Sequence, residues 1–238
     1  MRDELGNRMK TYYENRFKQF LLRRTYTIIR IDGKAFHTFT RQCDKPFDKQ
    51  LMGAIIDTAV VLCNNIEGAK FAYTQSDEIS ILLTDFDKLT TQMWFDGNVQ
   101  KICSVSASMA TASFNFLYNG KMAMFDARVF QLPNKQEVIN YFIWRQQDAT
   151  RNSIQSVAQS LYSHKELHGK NSFQLQEMIF QRGLNWDTLP TIEKRGTAIS
   201  KIKTSIEKEI EGERWIADYD APIFSKSSYL QQTIPSEE

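Results

Sequence analysis

The spacing of apolar residues predicts the elements of the first half of the chain. Runs rich in β-branched and aromatic residues predict strands at Thr25–Ile31, Lys70–Thr74, Ile79–Thr84 and Met124–Phe130. Apolar residues at every third or fourth position predict helices over Asp48–Asn64, with Asp48 as the N-cap, and over Ile102–Phe116. The predicted order is therefore β-α-β-β-α-β.

This order is that of the ferredoxin-like, polymerase palm-like sheet, so we expect an α+β fold. Right-handed crossovers then place the first and third strands side by side and antiparallel. The end of the first strand carries Asp32, and the start of the third follows Asp77 and carries Glu78. The pattern predicts that these three carboxylates meet at one edge of the sheet.

The remaining segments carry weaker signals. The segment up to Arg24 has apolar residues at helical spacing and predicts an amphipathic helix that covers another surface. Further helices are predicted at Gln136–Gln147, Asp148–Ser163 and Ser172–Phe180, then a strand at Thr197–Ile202 and a charged, solvated stretch at Glu207–Arg214. No linker separates them, so we expect the N-terminal helix and palm-like catalytic unit (1–133) to pack with a C-terminal helical lobe and extension (134–238) as one compact domain.

Composition narrows the class of protein. Thirty Lys and Arg against 28 Asp and Glu leave a net charge of +2, so an anionic partner must bind to local clusters of basic residues. Cys43, Cys63 and Cys103 are too few and too far apart for a disulfide framework or a Cys-x-x-Cys zinc site. The polar start of the chain and the lack of long apolar runs lead us to expect a cytoplasmic protein without a membrane segment.

The converging carboxylates suggest metal chemistry. Oxygen ligands without nearby His or Cys favour Mg²⁺ or Mn²⁺, and two such ions can activate an attacking oxygen and stabilise a leaving one in nucleotidyl transfer. Gly33 lets the backbone approach closely and lend a carbonyl. Asp-Gly after a strand and Asp-Glu in a hairpin are also typical of ordinary turns, so spacing alone leaves both interpretations open.

Longer motifs carry a family resemblance. Ile29–Phe39 (IRIDGKAFHTF) and Tyr73–Ser80 (YTQSDEIS) closely resemble the paired signatures of the tRNA(His) guanylyltransferase family, and Phe125–Val129 and Trp144–Asp148 continue the match. The resemblance extends from about Leu5 to Gly196. Members of this family have a polymerase-like palm but add nucleotides in the reverse, 3′-to-5′ direction, to the 5′ end of a tRNA.

The resemblance implies roles for particular residues. Asp32, Asp77 and Glu78 would be catalytic and bind two Mg²⁺ ions, assisted by the Gly33 backbone. The residues implied to bind nucleotides (ATP, GTP and other NTPs) are Gly33, Lys34, Phe36, His37, Lys45, Ser76, Lys101 and Arg128. The residues expected to contact RNA are Arg145, Asp148, Arg151, Asn152, His164, Lys165 and Lys170. The implied partners are tRNA and nucleoside triphosphates, and relatives imply a homotetramer.

Several of these residues have plain alternative roles. His37 is also typical of a hydrogen-bonded residue at a strand end, and Lys101 of a solvated lysine. Arg128 fits a salt bridge to Asp126 as well as a phosphate contact. The basic stretch between Arg145 and Lys170 fits a solvated helix face as well as an RNA track.

Two departures from the family pattern refine the predicted function. Eukaryotic members read roughly Cys-His-Ile-Asn-Asn after the Trp-Arg-Gln-x-Asp motif, where this chain has Ala149–Ser153 (ATRNS). This variant resembles the bacterial and archaeal guanylyltransferase-like branch, which implies template-dependent repair of 5′-truncated tRNAs. Gly97-Asn98 replaces arginines found in some relatives ahead of Lys101, which weakens part of the predicted triphosphate contact.

The sequence thus predicts a Mg²⁺-dependent 3′-to-5′ nucleotidyltransferase acting on tRNA 5′ ends. The alternative within the family is untemplated guanylyl addition to tRNA(His). Two other classes stay open: a palm-type nucleotidyl cyclase without an RNA substrate, and a non-catalytic RNA-binding module that would need no carboxylate triplet.

Overall fold

The computed structural model of the protein describes residues 3–206 and 210–237. Within them the strands are β1 (Tyr26–Gly33), β2 (Ala69–Gln75), β3 (Glu78–Leu83), β4 (Phe125–Leu132), β5 (Thr197–Ile206) and β6 (Ile210–Asp218). The helices are α1 (Glu4–Tyr12), α2 (Phe36–Phe39), α3 (Lys49–Asn65), α4 (Val99–Leu117), α5 (Lys135–Leu161), α6 (His164–Leu167), α7 (Ser172–Gln181), α8 (Thr191–Arg195) and α9 (Tyr229–Thr233).

The described strands form one sheet in the order β4-β1-β3-β2-β5-β6. Strands β1 and β3 are antiparallel neighbours, as the predicted palm-like unit requires, and β1 is also antiparallel to β4. The α+β fold and the palm-like arrangement are confirmed. Strand β5 pairs with β2, so the segment after residue 133 extends the same sheet, and the division of the chain at that residue stays a prediction.

Alternating side chains build a separate core on each face of the sheet. On one face, Ile29, Ile31 and Ile81 pack with residues of α3 and α4. On the other, Ile28 and Leu82 pack with α5 and with the C-terminal segment, where Leu230 and Ile234 are buried. Helices on both faces explain why β2 and β3 are buried along most of their length. This packing fixes the strand ends that carry the predicted carboxylates.

Two predicted helices are in fact one. The predicted boundary at Gln147 and Asp148 lies in the middle of α5, which runs unbroken for 27 residues. Asp148 lies inside this helix, and its carboxylate accepts hydrogen bonds from Arg145 and Arg151, three residues away on either side. The second half of α5 packs against α7 through residues such as Val157 and Ile179, which forms the predicted helical lobe.

The prediction for the N-terminal segment was wrong. The segment is the short helix α1 followed by a 3-10 turn, not a helix up to Arg24, and the apolar side chains expected to cover another surface are exposed in this chain, Leu5 at 61% and Phe17 at 77%.

The stretch Glu207–Arg214, predicted to be charged and solvated, begins outside the described residues. From Ile210 onward its backbone is strand β6, and Glu213 and Arg214 are exposed as predicted.

The described helices do not meet the requirements of a membrane span, since none of them is both long and apolar enough to cross a bilayer.

Candidate active site

The carboxylate edge is formed where β1 ends and β3 begins. Asp32 of β1 lies directly opposite Glu78 of β3 in the antiparallel register. Asp77 precedes Glu78 in a two-residue turn, in which Ser76 has a left-handed backbone (φ 52°) and its hydroxyl donates to Asp77 Oδ1 over 3.0 Å. The hairpin and the register therefore gather the three predicted acidic residues at one edge of the sheet.

Glycine is required at position 33 by the residue packed against it. A Cβ atom at Gly33 would lie 2.1 Å from the ring of Phe36, which is buried in the core below the edge. No real Cβ atom approaches a ring carbon that closely, so a side chain here would displace Phe36. Gly33 thus lets the chain turn tightly from β1 into α2 directly after Asp32.

Two of the three carboxylates at this edge, those of Asp32 and Asp77, have no ion-paired basic side chain among the described residues. Burial raises the pKa of Asp77 to about 6, and the nearby carboxylate of Asp32 adds to the rise. Among the described residues, no Lys, Arg or His forms an ion pair with Asp32 or Asp77. Two adjacent carboxylates without a cationic partner are a donor set that fits Mg²⁺ or Mn²⁺.

Glu78 differs from the two aspartates because an arginine already neutralises it. Arg145 of α5 donates to Glu78 through Nε to Oε1 and through Nη2 to Oε2, both over 2.8 Å. Burial raises the pKa of Glu78, and the charge of Arg145 opposes this rise. Within residues 3–206 and 210–237, no three His, Cys, Asp or Glu side chains are grouped as ligands of one ion. The fit to a divalent ion therefore rests on Asp32 and Asp77.

A cavity of about 190 Å³ lies beside Asp77. It is enclosed by the loop before α3, the β2–β3 turn, one side of α5 and the segment around α8. Its apolar lining includes Phe36, Phe47, Leu51, Met52, Ala149 and Ile192, and its polar lining includes Gln75, Ser76, Asn152, Ser153 and Ser156. An apolar pocket with several amide and hydroxyl groups is typical of a small-molecule site.

The charges around the cavity are mostly negative. Its lining contains Asp44, Asp48, Asp77 and Glu193 but, among the described residues, the single basic side chain of Lys45. Asp48 is the N-cap of α3, where the backbone N–H of Leu51 lowers its pKa. This excess of negative charge favours the binding of an uncharged ring inside the cavity and of a cation near Asp77. It disfavours a phosphate group inside the cavity, because the acidic side chains would repel it.

The structure brings together only some of the residues predicted to bind nucleotides. Ser76 and Lys45 line the cavity, and the exposed side chains of Lys34 and His37 come two and five residues after Asp32. Lys101 is separated from the carboxylates: it lies in the first turn of α4, whereas the other end of that helix packs near Phe36. Arg128 is exposed and 3.7 Å from Asp126, which agrees with the salt-bridge interpretation.

The residues predicted to contact RNA fall into two groups. Arg145 is 5% exposed and its guanidinium is occupied by Glu78 and Asp148, so it does not lie at the surface that the prediction required. Arg151 and Asn152 are exposed on α5. His164, Lys165 and Lys170 are exposed beyond the C-terminal end of α5, more than 20 Å along the helix from Arg145 at about 1.5 Å per residue. Their contact with RNA stays a prediction.

The sequence analysis did not predict that one side of α5 lines the cavity. Ala149, Asn152 and Ser156 recur at three- and four-residue intervals after Arg145, which places them on one side of the helix. That spacing was readable in the sequence, because all three residues lie within the predicted helix Asp148–Ser163. Gln75 was also missed, although it directly precedes the Ser76–Asp77 turn and lines the cavity.

Comparison with known proteins gives one family. The family model described as Thg1, tRNAHis guanylyltransferase, matches residues 6–133. Among curated proteins, the tRNA(His) guanylyltransferase of Debaryomyces hansenii is 28% identical over 205 residues, covering 76% of this chain and 76% of that protein.

Solved structures agree along nearly the whole chain. A bacterial tRNA(His) guanylyltransferase (Thg1)-like protein in complex with ATP is 46% identical, with a TM-score of 0.88, and the match covers 97% of this chain and 99% of that one. A structure of such a bacterial protein in complex with GTP is 47% identical, with a TM-score of 0.86 and the same coverage.

Proposed function

Because the chain belongs to the tRNA(His) guanylyltransferase family, whose members are nucleotidyltransferases, we propose that it adds nucleotides in the 3′-to-5′ direction to the 5′ end of tRNA. The observation that carries this proposal is the pair Asp32 and Asp77, two carboxylates that form no ion pair with any described basic residue and lie beside a cavity of nucleobase size. The bacterial relatives bound to ATP and GTP support nucleoside triphosphates as ligands.

Asp32 and Asp77 would hold Mg²⁺, with the Gly33 carbonyl as a further oxygen donor and two ions as the predicted number. When bound, Mg²⁺ would supply activation of the attacking 3′-hydroxyl and stabilisation of the departing pyrophosphate or AMP. The activated RNA end is either a 5′-triphosphate or a monophosphate adenylylated with ATP.

The chain's own groups would position the nucleotide. The apolar lining formed by Phe36 and Met52 suits the base, and the amides of Gln75 and Asn152 suit its polar edge. The phosphates would lie outside the negative interior, toward the predicted contacts Lys45 and Ser76 and the ion at Asp77. Binding in this orientation places the reacting atoms next to the carboxylate edge, which is the main contribution a protein makes to such a transfer.

We propose template-dependent repair of 5′-truncated tRNA as the physiological reaction, since Ala149–Ser153 replaces the segment found in eukaryotic members. Pairing with the opposite acceptor strand would then select the base, so the protein need not read it. Untemplated guanylyl addition to tRNA(His) is the second candidate, favoured by the names of the curated relatives.

The deciding experiment uses a tRNA that lacks its first nucleotide, all four NTPs and Mg²⁺. Extension of the 5′ end restricted to the complementary base supports repair, and G addition to intact tRNA(His) without a templating base supports the second candidate. A reaction with excess chelator, which we expect to be inactive until Mg²⁺ is restored, is the control. Absence of 5′ extension on both RNAs contradicts the proposal, and RNA-independent pyrophosphate release would instead indicate a cyclase.

We also propose a cytoplasmic homotetramer. All three cysteines are free, which agrees with a reducing compartment. The exposed apolar side chains around α1, including Leu5, Tyr12 and Phe17, would be covered by a neighbouring subunit. Light scattering of the purified protein tests the assembly, and a monomer would contradict it.

A further inference from the structure

Arg145 is the one predicted RNA contact that the structure places in the interior, against a predicted ion ligand. Its side chain joins α5 to the start of β3, and its partner Glu78 is also buried. An arginine in this place was unexpected, because a positive charge beside carboxylates competes with a divalent ion. The geometry of the pair explains what it does for the site.

The hydrogen bonds of Glu78 leave it a single open acceptor position at one oxygen. Each carboxylate oxygen can accept two hydrogen bonds. Oε1 accepts from Arg145 Nε and from the hydroxyl of Ser80, at 2.8 Å and 3.2 Å, and is therefore full. Oε2 accepts from Arg145 Nη2 and, among the described residues, from no other donor. Glu78 can thus offer an ion one oxygen and not two.

The groups that hold Glu78 are themselves fixed. Arg145 Nη2 also donates to Asp148 over 2.7 Å, and its guanidinium lies 4.3 Å from the ring centre of Trp144. The Ser80 hydroxyl is 2.7 Å from the hydroxyl of Tyr141; because Ser80 has one proton and gives it to Glu78, Tyr141 must donate to Ser80. Helix α5 therefore orients Glu78 from two directions, through Arg145 and through Tyr141.

We infer that Arg145 is a positioning residue of the active site. It neutralises Glu78 and leaves only Oε2 with an open acceptor position for an ion, so that Asp32 and Asp77 are the principal ligands. The planar guanidinium holds both carboxylate oxygens at once, which the point charge of a lysine cannot do. This inference rests on the proposed function for its catalytic consequence, and on the ion-pair geometry for its effect on ion binding.

The test is Mn²⁺ binding to the full-length protein without nucleotide, measured by the electron paramagnetic resonance signal of free Mn²⁺, together with 5′-extension kinetics. In Arg145→Met both oxygens of Glu78 are released from the guanidinium and no cation at this position repels the ion, so we expect Mn²⁺ to bind about tenfold more tightly. Because Glu78 is no longer held, kcat should fall at least about tenfold, with KM for the nucleotide within about twofold. Tighter ion binding with slower turnover is not expected of an arginine that only stabilises the fold.

Three variants isolate the cause. Adding Glu78→Gln to Arg145→Met should abolish the gain in Mn²⁺ affinity. Arg145→Lys keeps the positive charge but loses the pair of hydrogen bonds to the two oxygens of Glu78. The Mn²⁺ affinity should therefore stay within about twofold of the starting protein, while kcat falls about tenfold. Arg23→Gln, which removes an arginine paired with the buried Asp85 at the opposite end of β1 and β3, should change neither quantity.

Circular dichroism and thermal melting establish that each variant is folded. If Arg145→Met does not fold, Arg145→Lys and Tyr141→Phe carry the test, and both should lower kcat without changing Mn²⁺ affinity more than about twofold. Unchanged or weaker Mn²⁺ binding in folded Arg145→Met, an unaltered kcat in Arg145→Lys, or no Mn²⁺ binding by the starting protein would overturn the inference. A starting protein that binds Mn²⁺ but extends no RNA contradicts the proposed function alone, since the ion-binding comparison still stands.

Discussion

The two ends of the β1–β3 pair both bury a carboxylate beside an arginine, but they differ in how the charges balance. At one end, Asp85 is 2% exposed, accepts a hydrogen bond from the backbone N–H of Arg24 over 2.8 Å, and lies 3.7 Å from Nε of Arg23. At the other end, the one described guanidinium that forms an ion pair with Asp32, Asp77 or Glu78 is that of Arg145, which also serves Asp148, while Arg30 acts on Glu78 from further away.

This difference separates a structural from a functional group of charges. One carboxylate with one arginine is balanced in charge, although Oδ2 of Asp85 accepts no hydrogen bond from the described residues. Three carboxylates with one ion-paired arginine leave negative charge uncompensated, an arrangement that is concentrated at functional sites. The cavity lies beside the second end, at Asp77.

The largest effect should come from Asp77→Asn. The substitution removes a predicted ion ligand, so we expect 5′-extension activity to fall roughly a thousandfold, several kcal/mol of transition-state stabilisation. It also removes repulsion with Asp32, so the thermal midpoint should rise by about 3 °C, the shift that ~1 kcal/mol causes in a chain of this size. Gel-based extension assays and calorimetry measure the two effects. If the variant kept its activity or lost stability, the negative charge of Asp77 would be compensated in the folded protein, as that of Asp85 is.

The next effect should come from filling the cavity. Ser156 lines it from α5, and Ser156→Phe should raise KM for the nucleoside triphosphate about tenfold with little change in kcat, since binding is obstructed and the carboxylates are untouched. Ser160→Phe, one turn further along α5 at an exposed position, is the matched control and should leave both constants unchanged. If the two variants had equal effects on KM, the nucleotide would not bind in the cavity beside the carboxylate edge.

A smaller effect is expected from the basic segment beyond α5. Replacing Lys165 and Lys170 by Ala should raise KM for tRNA about threefold and reduce the salt dependence of RNA binding by roughly one to two counterions, because each phosphate contact releases about one. Filter binding at several salt concentrations measures this. An unchanged salt slope would assign these exposed lysines to a solvated helix face, the alternative that the sequence left open.

The smallest effect on activity should come from Asp85→Asn. This substitution weakens a buried, charge-assisted hydrogen bond, so we expect a loss of about 1–2 kcal/mol in the free energy of unfolding. Extension activity of the folded protein should stay within about twofold. Denaturant titration and the extension assay compare it directly with Asp77→Asn, and a large loss of activity here would remove the distinction between the two ends.

Much of the fold was predictable because its signals are local. The β-branched run of β1, the apolar period of α3 and its N-cap Asp48 each depend on neighbours within a few residues. The convergence of Asp32 with Asp77 and Glu78 was also predictable, since the element order permits few sheet topologies. The prediction for the N-terminal segment failed because it depended on contacts distant in sequence. The helical spacing of Leu5 and Phe17 indicates an apolar face, but it does not indicate whether residues of the same chain pack against that face.

The sequence by itself determined which residue types stand at the strand ends, and hence predicted an acidic edge next to a tight glycine turn. Only the tertiary structure decided how their charges are shared. Arg145 is 67 residues from Glu78 along the chain, and no periodicity relates the two. Their pairing follows from the angle at which α5 crosses the sheet, a result of packing two cores at once. Electrostatic interactions depend on distance in space, so which charged side chains pair depends on how the helices pack on the sheet and not on their separation along the chain.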